Sequence, residues 1–354
     1  MIDLRPVFFI CGILLTGLAV VMTVPAIVDG ANGDPDWLAF LEAAGITLFV
    51  GGALILTSRA EIMRLNLRQA FAFTTFSWVV VAVFGALPFA FSKLGMSFTD
   101  ALFESISGIT TTGATVITKL DSAPPGILLW RAILQWLGGI GIIVFALAIL
   151  PMLKVGGMQL FRVEAFDTPE KVLPRAAQLA ASIGGIYIGF TVIAATALAL
   201  AGMSLFDAIC HAMTAIATGG FSTRDLSLGA FPDHSILWIV TGTMIAGSLP
   251  FVFYIDAVRG NPRPLLRDSQ VHWFFALIGT AAFAAFLWLL FGRGFDADFA
   301  ATHAVFNVVS VMTGTGYTSD NFDAWGGFTV VMMFTLMFIG GCAGSTTCGI
   351  KIFR

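Results

Sequence analysis

The chain has 354 residues, of which 58% are hydrophobic and only 11% charged, with a mean hydropathy of +0.92. A soluble domain carries about 25% charged residues, and so few charges cannot cover a water-facing surface. A cytosolic enzyme, a nucleic-acid binder and a disordered chain are excluded, which leaves a polytopic membrane protein. Cys11, Cys210, Cys342 and Cys348 sit in apolar or Gly-rich stretches with neither ligand spacing nor a disulfide framework, and read as small hydrophobes.

A helix needs about 20 apolar residues to cross the hydrocarbon core. Eight stretches qualify in chain order: 7–28, 38–57, 70–92, 127–150, 176–201, 235–257, 271–292 and 325–341. The first reads as a retained span rather than a signal peptide, because its apolar run is long and no small-x-small cleavage site follows. Thirteen of the eighteen basic residues fall on one side: Arg5, Arg59, Arg64, Arg68, Lys154, Arg162, Lys171, Arg175, Arg259, Arg263, Arg267, Lys351 and Arg354. That bias makes this side, with the N-terminus, cytoplasmic. The opposite loops are acidic, and an acidic mouth concentrates cations.

Three outer loops repeat one pattern: FTDALFESISGITTTGAT (98–115), LFDAICHAMTAIATGGFS (205–222) and AATHAVFNVVSVMTGTGYT (300–318). Aligned on Gly113, Gly220 and Gly316, each has a hydroxyl six residues earlier (Ser107, Thr214, Ser310) and another two residues later (Thr115, Ser222, Thr318). Asp100, Asp207 and His303 stand thirteen earlier, and Ala101, Ala208 and Ala304 twelve earlier. The spacings of 107 and 96 residues predict a unit of span, re-entrant segment and span used three times. About thirteen helical residues reach roughly halfway through a bilayer. Asp100 and Asp207 are placed to cap such half-helices, whose inward C-terminal ends favour a cation. The following Thr/Gly turns can offer main-chain carbonyls in place of a cation's water shell.

Glu104, His211 and Asn307 share one register position and predict buried capping or hydrogen bonds between repeats. Arg131 and Gln135, near the outer start of the fourth span, could line a vestibule. Beside Trp130 and Trp136, anchoring of Arg131 at the membrane surface is the preferred reading. The mixed-charge 154–175 loop, with Pro169 and Pro174, suits a cytosolic docking partner.

These residues resemble the Trk/Ktr/HKT superfamily of potassium transporters, most closely its bacterial TrkH branch. The resemblance covers essentially the whole chain. It implies an all-α polytopic fold: two N-terminal helices, then span–pore-loop–span repeats of a four-repeat potassium-channel-like architecture. The corresponding segments are 1–68, 69–174, 175–269 and 270–354. It implies an ion filter at Thr111, Thr112 and Gly113, at Thr218, Gly219 and Gly220, and at Thr315, Gly316 and Tyr317, with K+ as the transported ion. Glycine at 113 goes with potassium over sodium. The run from Gly340 to Lys351 matches the family's intramembrane gate loop, through Gly340, Gly341, Gly344, Ser345, Thr346, Gly349 and Lys351. Helix should unwind there, with four glycines and three hydroxyl residues in succession. Thr347 and Cys348 stand where relatives often carry small residues or glycine.

The resemblance also implies a homodimer in the cell inner membrane, regulated by a cytosolic nucleotide-binding subunit, with no cofactor and no enzymatic activity. No zinc-ligand pair, nucleophile elbow or P-loop is present in the sequence. The family continues past this loop into a fourth repeat with an arginine in the permeation path. The expectation is therefore a piece of a longer protein, and a natural truncation would not conduct alone. The competing function is a cation-coupled secondary transporter, an H+ or Na+ symporter of K+ with a midplane site.

Overall fold

The computed structural model describes residues 3–59, 67–149 and 172–352. Among them the fold is all-helical, apart from one isolated bridge between Ile339 and Ile350. The chain forms two compact units, Met1–Thr110 with Ala114–Leu134, and Thr111–Gly113 with Gln135–Arg354.

In the first unit, α1 (Arg5–Asn32) and α2 (Trp37–Thr57) form a hairpin closed by Gly33, whose φ of 72° ends α1 in the left-handed region. Small residues let the two backbones approach: a Cβ at Gly12 would lie 2.8 Å from the Gly51 carbonyl oxygen, and one at Gly51 2.9 Å from the Thr16 hydroxyl. α3 (Leu67–Gly85) packs on α1 and is extended by α4 (Leu87–Phe91). Next comes the short α5 (Phe98–Ile109) and then α6 (Pro125–Ile149), which runs from the first unit into the second. Pro125 has no N–H to offer at the head of α6. The next amide, Gly126, donates to buried Asp29 Oδ1 at 2.5 Å, so α1 caps α6.

The second unit continues with α7 (Val172–Leu200), short α8 (Leu205–Ile216), α9 (His234–Ser248), α10 (Phe251–Val258) and α11 (Arg263–Arg267). It ends with α12 (Ser269–Leu287), α13 (Ala297–Met312) and α14 (Gly327–Leu336). Its core joins Leu198, Val240, Met244, Phe274, Phe306 and Trp325.

Five of the described helices are long and apolar enough to cross a membrane, or six if the bent α9–α10 pair is one span. Two of the eight expected spans need correction. The stretch 235–257 is not one helix: α9 and α10 meet at 97°, because Leu249-Pro250 interrupts the ladder. The stretch 325–341 holds a helix of only ten residues, Gly327–Leu336, so unwinding begins before the glycine run. The expected docking loop lies outside the described residues over 154–171, as does Arg64.

Candidate functional site

α5, α8 and α13 are the short helices that fall where the repeat predicts half-membrane segments. With twelve residues, α5 and α8 are each about 18 Å long, roughly half of what crossing demands. Their N-termini correct one expectation. Ser97 and Ser204, not the aspartates, are the N-caps, each accepting from the amide three residues on, Asp100 or Asp207, at 3.1 Å. The aspartate side chains in turn accept from the same serine hydroxyls at 2.8 and 2.9 Å, which fixes each cap. In the third repeat the helix starts earlier, capped by Asp296, so His303 lies within it.

After each short helix the backbone turns left-handed twice. Two residues before the aligned glycine, φ is 55° at Thr111, 50° at Thr218 and 73° at Gly314; at the glycine it is 80° (Gly113), 78° (Gly220) and 83° (Gly316). The intervening Thr112, Gly219 and Thr315 are not left-handed. The same alternation thus recurs at the same register in all three turns. A β-branched residue at positive φ is a steric outlier, costing on the order of 1–3 kcal/mol, and such strain clusters at functional sites. Thr111 and Thr218 both hold it. Gly314, at the same register, was not singled out in the sequence, although the alignment points to it.

The three turns come together. A Cβ on Gly113 would collide with the Gly219 carbonyl oxygen and stand 3.5 Å from that of Thr315. A Cβ on Gly220 would collide with the Thr315 carbonyl oxygen. Tyr317 does not present its side chain as a ligand. It is 1% exposed, and its hydroxyl crosses to the second repeat, against the Thr214 hydroxyl and 3.4 Å from the Phe221 carbonyl.

The strand after each turn is braced by its own helix, which corrects the expectation of bonds between repeats. Glu104 accepts from the Thr115 hydroxyl at 2.9 Å and the Val116 amide at 3.0 Å. His211 Nε2 meets the Ser222 hydroxyl at 2.9 Å, and Asn307 Nδ2 donates to the Ser319 hydroxyl at 2.7 Å. One register position thus performs one job with three chemistries. Ser107 and Ser310 donate to the carbonyls of Ala114 and Tyr317, just past the glycines, at 2.5 and 2.7 Å. Asp207 further ties the descending strand, accepting from Thr223 and Arg224, each at 2.6 Å. Burial pushes its carboxyl up, but the hydrogen bonds from Thr223, Arg224 and Ser204 outweigh this and hold it below the usual carboxylate range.

Arg131, on α6, is not a surface anchor, and Gln135 four residues on is buried with it. Arg131 is 1% exposed and pairs with fully buried Glu104 at 2.7 Å. Gln135, equally buried, donates from Nε2 to the Gly219 carbonyl at 2.6 Å and accepts from the Phe221 amide at 3.0 Å.

The expected gate loop is unwound and stitched to the α9–α10 elbow. The elbow leaves the Gly247 and Ser248 carbonyls without helical partners. They accept from the Thr346 amide at 3.0 Å and the Cys342 amide at 3.1 Å, while the Phe251 amide donates to the Gly344 carbonyl at 3.1 Å. Within the loop, Gly340 donates to the Ile350 carbonyl at 2.9 Å, Gly341 to the Thr347 hydroxyl at 3.1 Å, and Ser345 to the Cys342 carbonyl at 2.6 Å. Gly349, at φ 78°, passes so close to Gly340 that a Cβ would lie 2.9 Å from its backbone nitrogen. Lys351 donates to the carbonyl and hydroxyl of Thr347. Cys348 departs from the small-hydrophobe reading. It is exposed, and its sulfur fills the space beside Gly314.

Residues 38–354 match the family model TrkH, described as cation transport protein. The Trk system potassium uptake protein TrkI of Halomonas elongata is 44% identical over 99% of this chain and 71% of its own length. The Trk system potassium uptake protein TrkH of Escherichia coli is 39% identical over 99% of this chain and 74% of its own. The crystal structure of the potassium transporter TrkH from Vibrio parahaemolyticus superposes with a TM-score of 0.92 at 36% identity, over 100% of this chain and 74% of that one. With a family match across most of its length and relatives this similar, the chain belongs to the TrkH family of cation transport proteins.

Proposed function

We propose that the chain is the membrane component of a Trk potassium uptake system, passing K+ between main-chain carbonyls of the Thr111–Gly113, Thr218–Gly220 and Gly314–Tyr317 turns. The observation that carries this reading is the shared alternation of left-handed residues, with Gly113 against the Gly219 carbonyl and Gly220 against that of Thr315. Carbonyls so arrayed replace water around an alkali ion without the tight hold of a carboxylate. The helices α5, α8 and α13 end just before the turns, and each contributes about −0.5 charge at its C-terminus, which favours a cation there. Uptake is driven by about 2.3 kcal/mol per charge per 100 mV when the cell interior is negative.

The architecture behind this reading is two N-terminal helices followed by span–pore-loop–span repeats, divided at about 68, 174 and 269. The basic segments face the cytoplasm at the inner membrane. Gly340–Lys351 acts as the gate, in a homodimer regulated by a cytosolic nucleotide-binding subunit. The test is rubidium and sodium uptake by the intact protein carrying Gly113→Ser or Gly220→Ser. Both positions combine positive φ with a carbonyl where a side chain would go, so discrimination against sodium should fall. Unaltered discrimination in both variants removes the reading.

A further inference from the structure

The three turns differ at one position. The residue before the aligned glycine is Thr112 in the first, Thr315 in the third and Gly219 in the second. Backbone geometry does not require glycine at 219, because that residue is not left-handed. Space does. A Cβ there would run into the carboxamide of Gln135, with Nε2 2.8 Å away.

That carboxamide makes two directed bonds, donating to the Gly219 carbonyl at 2.6 Å and accepting from the Phe221 amide at 3.0 Å. It therefore grips the strand on both sides of Gly220. One partner is an acceptor and the other a donor, so only one orientation of the amide satisfies both. Gln135 is fully buried. The Phe221 carbonyl meets the Tyr317 hydroxyl at 3.4 Å, so the polar groups of this strand are held by side chains from the first and third repeats. A side chain 84 residues away in sequence fills the space that a side chain on residue 219 would need.

We propose that Gln135 is a selectivity-setting positioning residue: its carboxamide fills the space left by the absent side chain at 219 and fixes the Gly219 carbonyl beside the filter glycine. The proposal rests on the filter reading above. Removing both bonds frees the carbonyl to rotate, and the discrimination between alkali ions that depends on its placement is lost. Glycine at 219 and glutamine at 135 are then one paired solution, which a double substitution can exchange for the one used by the other repeats.

The experiment measures rubidium uptake and its inhibition by sodium, using the full-length protein with its native partners in cell membranes. Membrane abundance is measured alongside. Gln135→Leu should lower rubidium-over-sodium discrimination about tenfold, the effect of losing bonds of this kind. Gln135→Glu keeps the volume and the bond from Phe221 but loses the donor to Gly219, so it should act in the same direction. It decides the matter if the leucine variant does not reach the membrane. Gly219→Thr alone should be as damaging, and Gly219→Thr with Gln135→Ala should recover discrimination to within about threefold of the wild type.

A flux change without a change in ion discrimination, or a double variant no better than its singles, overturns the proposal. If Gly113→Ser and Gly220→Ser alter discrimination while Gln135 variants do not, the filter reading stands and only this assignment fails. If none of them alters it, the filter reading itself has failed.

Discussion

The hydroxyl of Thr218, in the second Thr/Gly turn, donates to the hydroxyl of Thr346, in the unwound loop after α14, at 3.1 Å. The Thr346 oxygen also lies 2.9 Å from the Gly247 carbonyl and 3.1 Å from that of Ile216. One side chain thus joins the end of a re-entrant helix, a turn of the proposed filter and the α9–α10 elbow.

Thr346→Val keeps the shape and removes the hydroxyl. The amide of Thr346 still reaches Gly247, so the loop loses part of its anchorage, on the order of 1–2 kcal/mol. If the loop is the closed gate, resting rubidium flux should rise several-fold in the intact protein. Flux at or below the wild-type level would argue that this contact does not hold a gate shut.

Arg131 and Glu104 form an ion pair exposed by 1% and 0%. Removing one partner leaves a buried charge, a loss of about 3–5 kcal/mol. Arg131→Met should therefore lower the melting temperature in detergent more than Arg131→Met combined with Glu104→Gln, which removes both charges. A double variant that loses the full sum of the single effects would show that the pair is not coupled.

What the sequence disclosed is what the backbone demands locally. The second left-handed position of each turn carries glycine, so Gly113, Gly220 and Gly316 are legible, whereas Thr111 and Thr218 hold the first without that signal. Ser107 and Ser310 recur because each supports its own turn seven residues on. Contacts across long separations were not legible. Gln135 finds Gly219 84 positions away, and Arg131 finds Glu104 27 away; in sequence both suit a vestibule, and Arg131 beside tryptophans suits the membrane surface. The elbow at Pro250 was hidden in a run apolar enough to pass for a span. The Ser-x-x-Asp spacing at Ser97 and Ser204 is readable in the sequence, and it is the serine of each pair that caps the helix.

The α1–α2 hairpin depends on the absence of side chains at Gly12 and Gly51. Gly51→Ile should force the helices apart and lower thermal stability markedly. At Gly52, where a Cβ meets nothing within 4 Å, Gly52→Ala should be neutral or slightly stabilising, since alanine favours helix by about 1 kcal/mol. Thermal unfolding of the two variants side by side distinguishes close packing from a general intolerance of this helix.

Asp207 supplies a prediction with a defined sign. Its carboxyl is held below the usual range because hydrogen bonds from Thr223, Arg224 and Ser204 overcome the effect of burial. A carboxyl with a lowered folded-state pKa binds fewer protons folded than unfolded, so its stabilisation is fully present above the unfolded value of about 3.9. It is lost as pH falls through the lower folded value. Asp207→Asn should therefore melt below the wild type at pH 7, and the gap should persist at pH 5. Only below about pH 4, where the unfolded chain takes up the proton before the folded one does, should the two melting curves begin to converge. A wild-type melting temperature that instead rises relative to Asp207→Asn as pH falls from 7 to 5 would mean that the carboxyl is raised rather than lowered, and that the segment after the second turn is not held by this ionised group.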